Sequence, residues 1–309
     1  MRLDLDRLGE RLRTGLVRWT DRQSGQRGLY LGLAVCALLW LGIVVFSQPF
    51  GAHPYGSDQD ARAYWLAWNS DPYAGATVGL PGAYLYSPAF LQLIGPLRAM
   101  SWPGFVAAWT LVLLVATAYL AGPELLAIVV LLAASEIWGG NISLLLAVAI
   151  VVGFRWPAAW AFVVLTKVSP GVGLLWFAVR REWGHLGVAL GATVGFVALS
   201  YILGTREWSA WIAVLVGNVS STGTWAAIPI PLLVRLPVAV AVIVWAARGD
   251  RRWALPIGCF LAMPVLWYGS LTILAASLPF LGRRGWNIGR PLDWIAEGRR
   301  SGASSEPAS

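Results

Sequence analysis

Two carboxylates and several aromatic rings lie together in one polar stretch of the sequence. Asp58 and Asp60 precede Arg62, and Tyr64 and two tryptophans follow closely. If residues 60–69 are helical, Asp60 and Tyr64 are one turn apart and share a face. A carboxylate can accept the proton of a hydroxyl group, and aromatic rings can stack on the C–H face of a sugar. The pattern therefore predicts a sugar site, with a solvated loop as the alternative.

A single charge interrupts the apolar segment 157–179. Lys167 lies near its middle, and Pro170 and two glycines follow and are expected to break or bend a helix there. A charge at the centre of a membrane costs about 2.5–3.5 kcal/mol on the translocon scale, so such a residue normally faces a cavity or a partner. Irregular backbone is tolerated where it lines a cavity. Lys167 therefore predicts an anionic ligand such as a lipid phosphate; pairing with Glu136 or snorkelling is the alternative.

The composition indicates a polytopic membrane protein. Of 309 residues, 58% are hydrophobic and 12% are charged, whereas about 25% are charged in an ordinary soluble domain. An ordinary cytosolic domain and a disordered chain are thus excluded. The 19 tryptophans are typical of a chain with many membrane–water interfaces. The two cysteines lie in apolar runs, and no ligand spacing predicts a metal site.

Apolar segments predict an all-α polytopic bundle of about ten transmembrane helices. The first, 28–47, is followed by a long polar loop, 48–83. The further candidates are 85–100, 104–121, 123–138, 140–154, 157–179, 185–203, 226–247 and 254–281. The last is divided into two short passes by a turn near Pro264–Gly269. Glycines 187, 191 and 195 form a stripe expected to pack closely against another helix.

The basic residues set the predicted orientation, because Lys and Arg are retained on the cytoplasmic side. Threading ten passes from a cytoplasmic N-terminus leaves all but five of the 23 basic residues inside. The five are Arg62, Arg155, Lys167, Arg206 and Arg235. Both termini are then cytoplasmic, and loop 48–83 is extracytoplasmic. The net charge of +8 argues for a membrane surface and against nucleic acid.

Three regions follow from this threading. Residues 1–27 are predicted to form a cytoplasmic amphipathic segment or, alternatively, a basic tail. Residues 28–282 form the transmembrane domain, and 283–309 a cytoplasmic, partly disordered tail. Glu136, Asn141 and Ser143 lie in a polar turn that this parity makes cytoplasmic or re-entrant, and helix capping is its expected role.

Five motifs in this order resemble the polyprenol-phosphate-mannose-dependent mannosyltransferases of glycosyltransferase family 87, which have the GT-C fold. The motifs are Asp60-Ala-Arg-Ala-Tyr64, Tyr86-Ser-Pro88-Ala-Phe90 with Pro96-Leu97, Gly140-Asn141, Lys167-Val-Ser-Pro170 through Arg180-Arg181, and Pro264-Val-Leu-Trp267-Tyr268. The likeness covers about residues 50–282. The sequence departs from the family at Ser87, where the family has proline, and lacks the histidine that follows the late tryptophan.

The resemblance implies transfer of a sugar, expected to be mannose, from a polyprenyl-phosphate donor to a lipid or glycan acceptor on the extracytoplasmic face. It implies an inverting displacement with Asp60 as general base, although Asp58 is close enough to take that role. Lys167, with Arg62 or Arg155, would stabilise the departing phosphate. The sugar pocket would be lined by Tyr64, Tyr86, Trp267 and Tyr268.

Apart from the lipid-linked co-substrate, the resemblance implies no cofactor and no metal. Two other functions remain open from the sequence. One is a transporter or flippase for a lipid-linked anion, with Lys167 on its path. The other is an inactive scaffold, a possibility raised by the missing histidine.

Overall fold

The computed structural model describes residues 9–11, 14, 25–47, 59–68, 71–80, 82–218 and 227–281. Asp58, most of segment 1–27 and the tail 283–309 lie outside the described residues. The described chain is mostly helical. Its α-helices are α1 (Gly25–Ser47), α2 (Gln59–Leu66), α3 (Pro88–Ile94), α4 (Trp102–Leu132), α5 (Ala134–Gly139), α6 (Ser143–Gly153), α7 (Trp160–Thr166), α8 (Leu175–Val179), α9 (Trp183–Leu203), α10 (Thr205–Gly217), α11 (Leu232–Arg248), α12 (Leu255–Leu261) and α13 (Leu278–Leu281).

Two of the described helices, α4 and α9, are long and apolar enough to cross a membrane. Helix α9 has 21 residues, which extend about 31 Å, and only 11% of its apolar stretch is buried. Its outward side chains include Val194 and Ile202, which are 67% and 79% exposed. Most of the other predicted passes form shorter or broken helices, so the described residues do not confirm ten full-length spans.

Helix α4 is a hairpin of two arms, which reverses at Gly122. The φ of 63° and ψ of 173° at Gly122 are non-helical, and Pro123 follows. The Trp109 indole nitrogen donates a hydrogen bond to the Gly140 carbonyl at 2.6 Å. In a straight helix, Trp109 and Leu132 would be about 35 Å apart, and the six-residue α5 could not return the chain. The arms occupy the positions of the predicted segments 104–121 and 123–138.

The predicted membrane pass over 85–100 is not formed. Helix α3 has seven residues and a 3-10 helix, Gly95–Ala99, continues it. The segment runs alongside α2: the Trp65 indole donates to the Met100 carbonyl at 3.2 Å. Arg98 lies over the Trp68 ring at 5.2 Å. Both ends of this segment therefore lie close to α2 and to the turn that follows it.

Ser87, where the family that the sequence resembles has proline, caps the N-terminus of α3. Its hydroxyl accepts a hydrogen bond from the Phe90 amide at 3.3 Å, and Pro88 occupies the first turn, where its missing N–H costs nothing. The N-terminal position predicted for Pro88 is confirmed.

The helix break predicted beyond Lys167 is confirmed, and it begins at Lys167 itself. Helix α7 ends at Thr166, and Lys167 is extended, with φ −135° and ψ 105°. A 3-10 helix, Ser169–Leu174, then leads into the short α8. The segment 157–179 is therefore two short helical pieces with Lys167 between them.

The turn predicted near Pro264–Gly269 is present and is held by a strand pair. β1 (Ala227–Ile228) pairs antiparallel with β2 (Leu266–Trp267), and a 3-10 helix, Gly269–Ser277, follows β2. Arg235, one of the five charges outside the cytoplasmic set, is 5% exposed. Its guanidinium donates to the carbonyls of Ile230, Leu261, Met263 and Pro264 at 2.7–3.1 Å.

Candidate functional site

Helix α2 carries Asp60 and is anchored by Tyr64, one turn later. Tyr64 is 0% exposed and donates a hydrogen bond to the Tyr86 hydroxyl at 3.1 Å. Its ring makes edge contacts with Phe90 and Trp109, with centroids 5.5 and 5.3 Å apart. Asp60 and Tyr64 are therefore one helical turn apart, as predicted. Tyr64 lies in the core, however, and Asp60 lies at the edge of that core.

The loop between α5 and α6 packs directly on α2. Gly140 has a φ of 70°, which disfavours any residue with a side chain. A Cβ at this position would lie 2.5 Å from the Ala61 Cβ and 3.1 Å from the Ala61 amide nitrogen. Glycine therefore permits backbone-to-backbone approach beside Asp60, and the Trp109 hydrogen bond fixes the loop there.

The Asp60 carboxylate faces this loop and the break at Lys167. The Asn141 side chain forms a hydrogen bond with Asp60, and the Lys167 ammonium is close enough to act on it electrostatically. Burial raises the pKa of Asp60 to about 6, and Lys167 and Asn141 act in the opposite direction. A carboxylate with such a pKa is mostly ionised at neutral pH and is a stronger base than an ordinary Asp.

Glu136 is a second carboxylate in the same cluster. It is 3% exposed, and its Oε1 accepts a hydrogen bond from the Ser143 amide at 3.2 Å. Gly269 packs on its Oε2 so closely that a Cβ there would clash. Glu136 and Asp60 both interact electrostatically with Lys167. The structure therefore gathers three charged groups from three separate parts of the chain.

The turn that carries Asn141 and Glu136 lies beside α2, because the Asn141 side chain is hydrogen-bonded to Asp60. The side of the membrane on which this turn lies stays a prediction.

The other predicted site residues are distributed unevenly. Tyr64 and Tyr86 are buried in the aromatic cluster, where they support α2 and do not face solvent. Arg155 follows α6, and it is about 18 Å along that helix from Ser143, away from the charged cluster. Arg62 is partly buried on α2, two residues from Asp60.

Trp267 and Tyr268 lie next to the charged cluster of Asp60, Glu136 and Lys167, because the residue that follows them contacts Glu136. Trp267 lies in the strand pair and is partly buried, and Tyr268 is 58% exposed. Gly269 comes directly after them and packs on Glu136. The turn that carries both rings is therefore next to the charged cluster.

Asn141 and Glu136 were not predicted as site residues. Helix capping was the expected role of their turn, and the Glu136–Lys167 pairing was only an alternative. The Gly140-Asn141 motif was the one available signal, and it came from the resemblance. Charge pairing between distant segments leaves no periodic trace in a single sequence.

Chemically, the cluster offers a carboxylate base, an oriented amide and a cation in a partly buried position. Among the described residues, no group of three or more His, Cys, Asp and Glu side chains could hold a metal ion. No protein-family model matches the chain, and no curated protein or solved structure matches it significantly.

Proposed function

We propose that this chain is a membrane glycosyltransferase that moves a sugar, expected to be mannose, from a polyprenyl-phosphate donor to a lipid or glycan acceptor. The observation that carries the proposal is the juxtaposition of Asp60 and Lys167, with Asn141 hydrogen-bonded to the carboxylate. A base beside a cation suits a reaction in which a hydroxyl attacks and a phosphate leaves. The two membrane-length helices support a substrate anchored in a bilayer.

The proposed reaction is a single displacement. Asp60 takes the proton of the acceptor hydroxyl as that oxygen forms a bond to the anomeric carbon. The bond from the anomeric carbon to the phosphate oxygen breaks, and polyprenyl phosphate departs with the electron pair. Lys167 stabilises the charge on that phosphate, and preorganised charge of this kind is usually the largest single catalytic contribution. A positioned base adds about 10²–10⁴-fold.

The distribution of basic residues supports an extracytoplasmic location for this reaction. Arg180 and Arg252 lie together, because both pair with Asp250, at 3.3 and 3.6 Å. Basic residues collect on the cytoplasmic side. Asp60 belongs to the predicted outer loop, so the active site and both termini lie on opposite faces in this proposal.

The test is transfer from radiolabelled polyprenyl-phosphate mannose into lipid or glycan acceptors by the purified chain in liposomes. Asp60→Asn should reduce transfer by at least about 10²-fold. Asp71→Asn is the matched control: Asp71 is exposed, and its Oδ1 accepts from the Tyr73 amide, a bond that asparagine keeps. Full activity of Asp60→Asn, together with an inactive Asp58→Asn, would show that Asp58 is the general base in place of Asp60.

The same liposomes separate the alternatives. A flippase for a lipid-linked anion would move labelled donor across the bilayer without consuming it. An inactive scaffold would bind the donor without turnover. Full transfer by both the Asp58→Asn and Asp60→Asn variants would refute the proposed mechanism.

A further inference from the structure

Helix α8 ends in a backbone motif that places an arginine in a left-handed conformation. The Arg181 amide donates a hydrogen bond to the Ala178 carbonyl at 3.1 Å, and the Glu182 amide donates to the Phe177 carbonyl at 2.8 Å. These two bonds form a Schellman motif, in which the left-handed residue is usually glycine. Arg181 occupies that position with a φ of 57°, which is unfavourable for a residue with a Cβ. A backbone outlier of this kind points to a function of the side chain.

Helix α11 ends in the same motif, and there the left-handed residue has a visible role. Asp250 has a φ of 51°, and its carboxylate pairs with Arg180 at 3.3 Å and with Arg252 at 3.6 Å. These ion pairs compensate for the strained backbone at Asp250. Among the described residues, by contrast, no ion pair or hydrogen bond holds the guanidinium of Arg181, which is an exposed residue.

The two helix ends lie against each other and form a surface with an excess of positive charge. The Arg180 guanidinium donates to the Ala247 carbonyl at 3.1 Å, so the turn 180–182 contacts the turn 247–252. The two turns contain five arginines and two carboxylates. Both carboxylates, at Glu182 and Asp250, are within ion-pair distance of Arg180. The joint surface therefore has a net positive charge and is complementary to an anion.

Helix α9 places this surface at the depth of lipid headgroups. It begins at Trp183, two residues after Arg181, and it is long and apolar enough to cross a membrane. Only 11% of its apolar stretch is buried inside the fold, so its other side chains are suited to contact with lipid. Trp183 is 62% exposed, and tryptophan is enriched where a bilayer meets water. Arg181 therefore lies at the level of the lipid phosphates.

We propose that the exposed residues Arg181 and Arg248 bind the phosphate of an anionic phospholipid headgroup. Arg248 is the last residue of α11 and, within the described part of the chain, also has no ion pair. Guanidinium groups bind phosphate through two parallel hydrogen bonds, and basic residues beside a bilayer attract anionic lipids. Arg180 holds the two turns together, whereas Arg181 and Arg248 are available to the lipid.

The test is thermal unfolding of the purified full chain in an uncharged detergent, titrated with short-chain phosphatidylglycerol. The same titration with phosphatidylcholine of equal chain length separates the effect of headgroup charge from that of the acyl chains. A ligand that binds the folded state raises its stability, so we expect saturable stabilisation by phosphatidylglycerol alone.

Charge-removing variants locate the binding site. Arg181→Gln removes the charge without relieving the backbone strain, and it should raise the apparent Kd for phosphatidylglycerol about fivefold. Arg248→Gln should have a similar effect. Arg206→Gln is the matched control: Arg206 is also exposed, but it follows the opposite end of α9, and its replacement should leave the Kd unchanged.

Arg181→Gly separates lipid binding from a structural role of this arginine. Glycine adopts a positive φ without strain, so without lipid this variant should melt at a higher temperature than the unmodified chain. It should nevertheless bind phosphatidylglycerol as weakly as Arg181→Gln. An arginine that served only the fold would give the opposite result, a lower melting temperature and an unchanged Kd.

An unchanged Kd in both Arg181→Gln and Arg248→Gln would overturn the proposal. An equal loss of binding in Arg206→Gln would also overturn it, because attraction by net charge would then explain the effect without a site. Equal stabilisation by inorganic phosphate would assign the site to free phosphate and not to a lipid headgroup. Lipid binding is measured without sugar transfer, so these outcomes are independent of the proposed function.

Discussion

The Trp109 indole nitrogen donates a 2.6 Å hydrogen bond to the Gly140 carbonyl oxygen. This bond joins the first arm of the α4 hairpin to the loop that carries Asn141. Gly140 in turn packs on Ala61, next to Asp60. The position of the candidate base therefore depends on contacts among three elements.

The rate of transfer should depend on the protonation of Asp60. Because burial raises the pKa of Asp60 to about 6, kcat/KM should fall about tenfold per pH unit below that value. An ordinary aspartate would show this limb near pH 4. The measurement is kcat/KM for the donor from pH 4.5 to 8. A rate that stays constant down to pH 5 would contradict the assignment of Asp60 as the base.

Asp60→Asn should increase stability at neutral pH while it removes activity. The folded-state pKa of about 6 lies above the ordinary aspartate pKa of about 3.9, so ionised Asp60 opposes folding. That cost is absent below about pH 4 and grows as pH rises through about 6. After allowance for partial exposure, the variant should gain about 1–2 kcal/mol at pH 7.5.

Thermal unfolding in detergent at pH 7.5 and at pH 4 measures this gain. Asp71→Asn again serves as the control and should show none at either pH. An Asp60→Asn protein less stable than the unmodified chain at pH 7.5 would indicate that the carboxylate is a structural ion pair.

Gly140→Ala should disrupt the site. The new Cβ would meet Ala61 at 2.5 Å, and the φ of 70° is strained for alanine. The two effects together should cost about 2–4 kcal/mol and displace Asp60. The glycine stripe at 187, 191 and 195 is not closely packed as predicted, since nothing lies within 4 Å of a Cβ at any of the three positions. Gly191→Ala in α9 is therefore the matched control. Melting temperature and transfer rate, measured on both variants, should separate them clearly; equal behaviour would refute the close packing.

Arg235 should be essential for the late turn. Arg235→Met leaves four carbonyl oxygens without their charged donor, and we expect a loss of more than about 3 kcal/mol. Lysine keeps the charge but cannot reach all four acceptors, so Arg235→Lys should be intermediate. Unfolding midpoints of the three proteins test this order. A methionine variant as stable as the unmodified chain would mean that water replaces the guanidinium.

Much of the local structure could be predicted from the sequence. Pro88 at the start of a helix, the break at Lys167 and the turn near Pro264–Gly269 follow from backbone chemistry, which acts over a few residues. The 85–100 pass could not be excluded in that way. Its hydrophobicity suits a membrane, but the same side chains pack on α2 because Tyr64 and Trp68 offer them an aromatic surface.

The helical, apolar character of the chain could be predicted from its residues alone, and so could the importance of Asp60 and Lys167 as charges that need an explanation. Their companions could not, because it is the packing of distant segments that brings Asn141 and Glu136 to the same place and leaves Arg155 distant. The same packing puts Tyr64 in the core beneath the site. Helix breaks and caps depend on neighbouring residues, whereas the partners of a buried charge are selected by close packing between segments far apart in the chain.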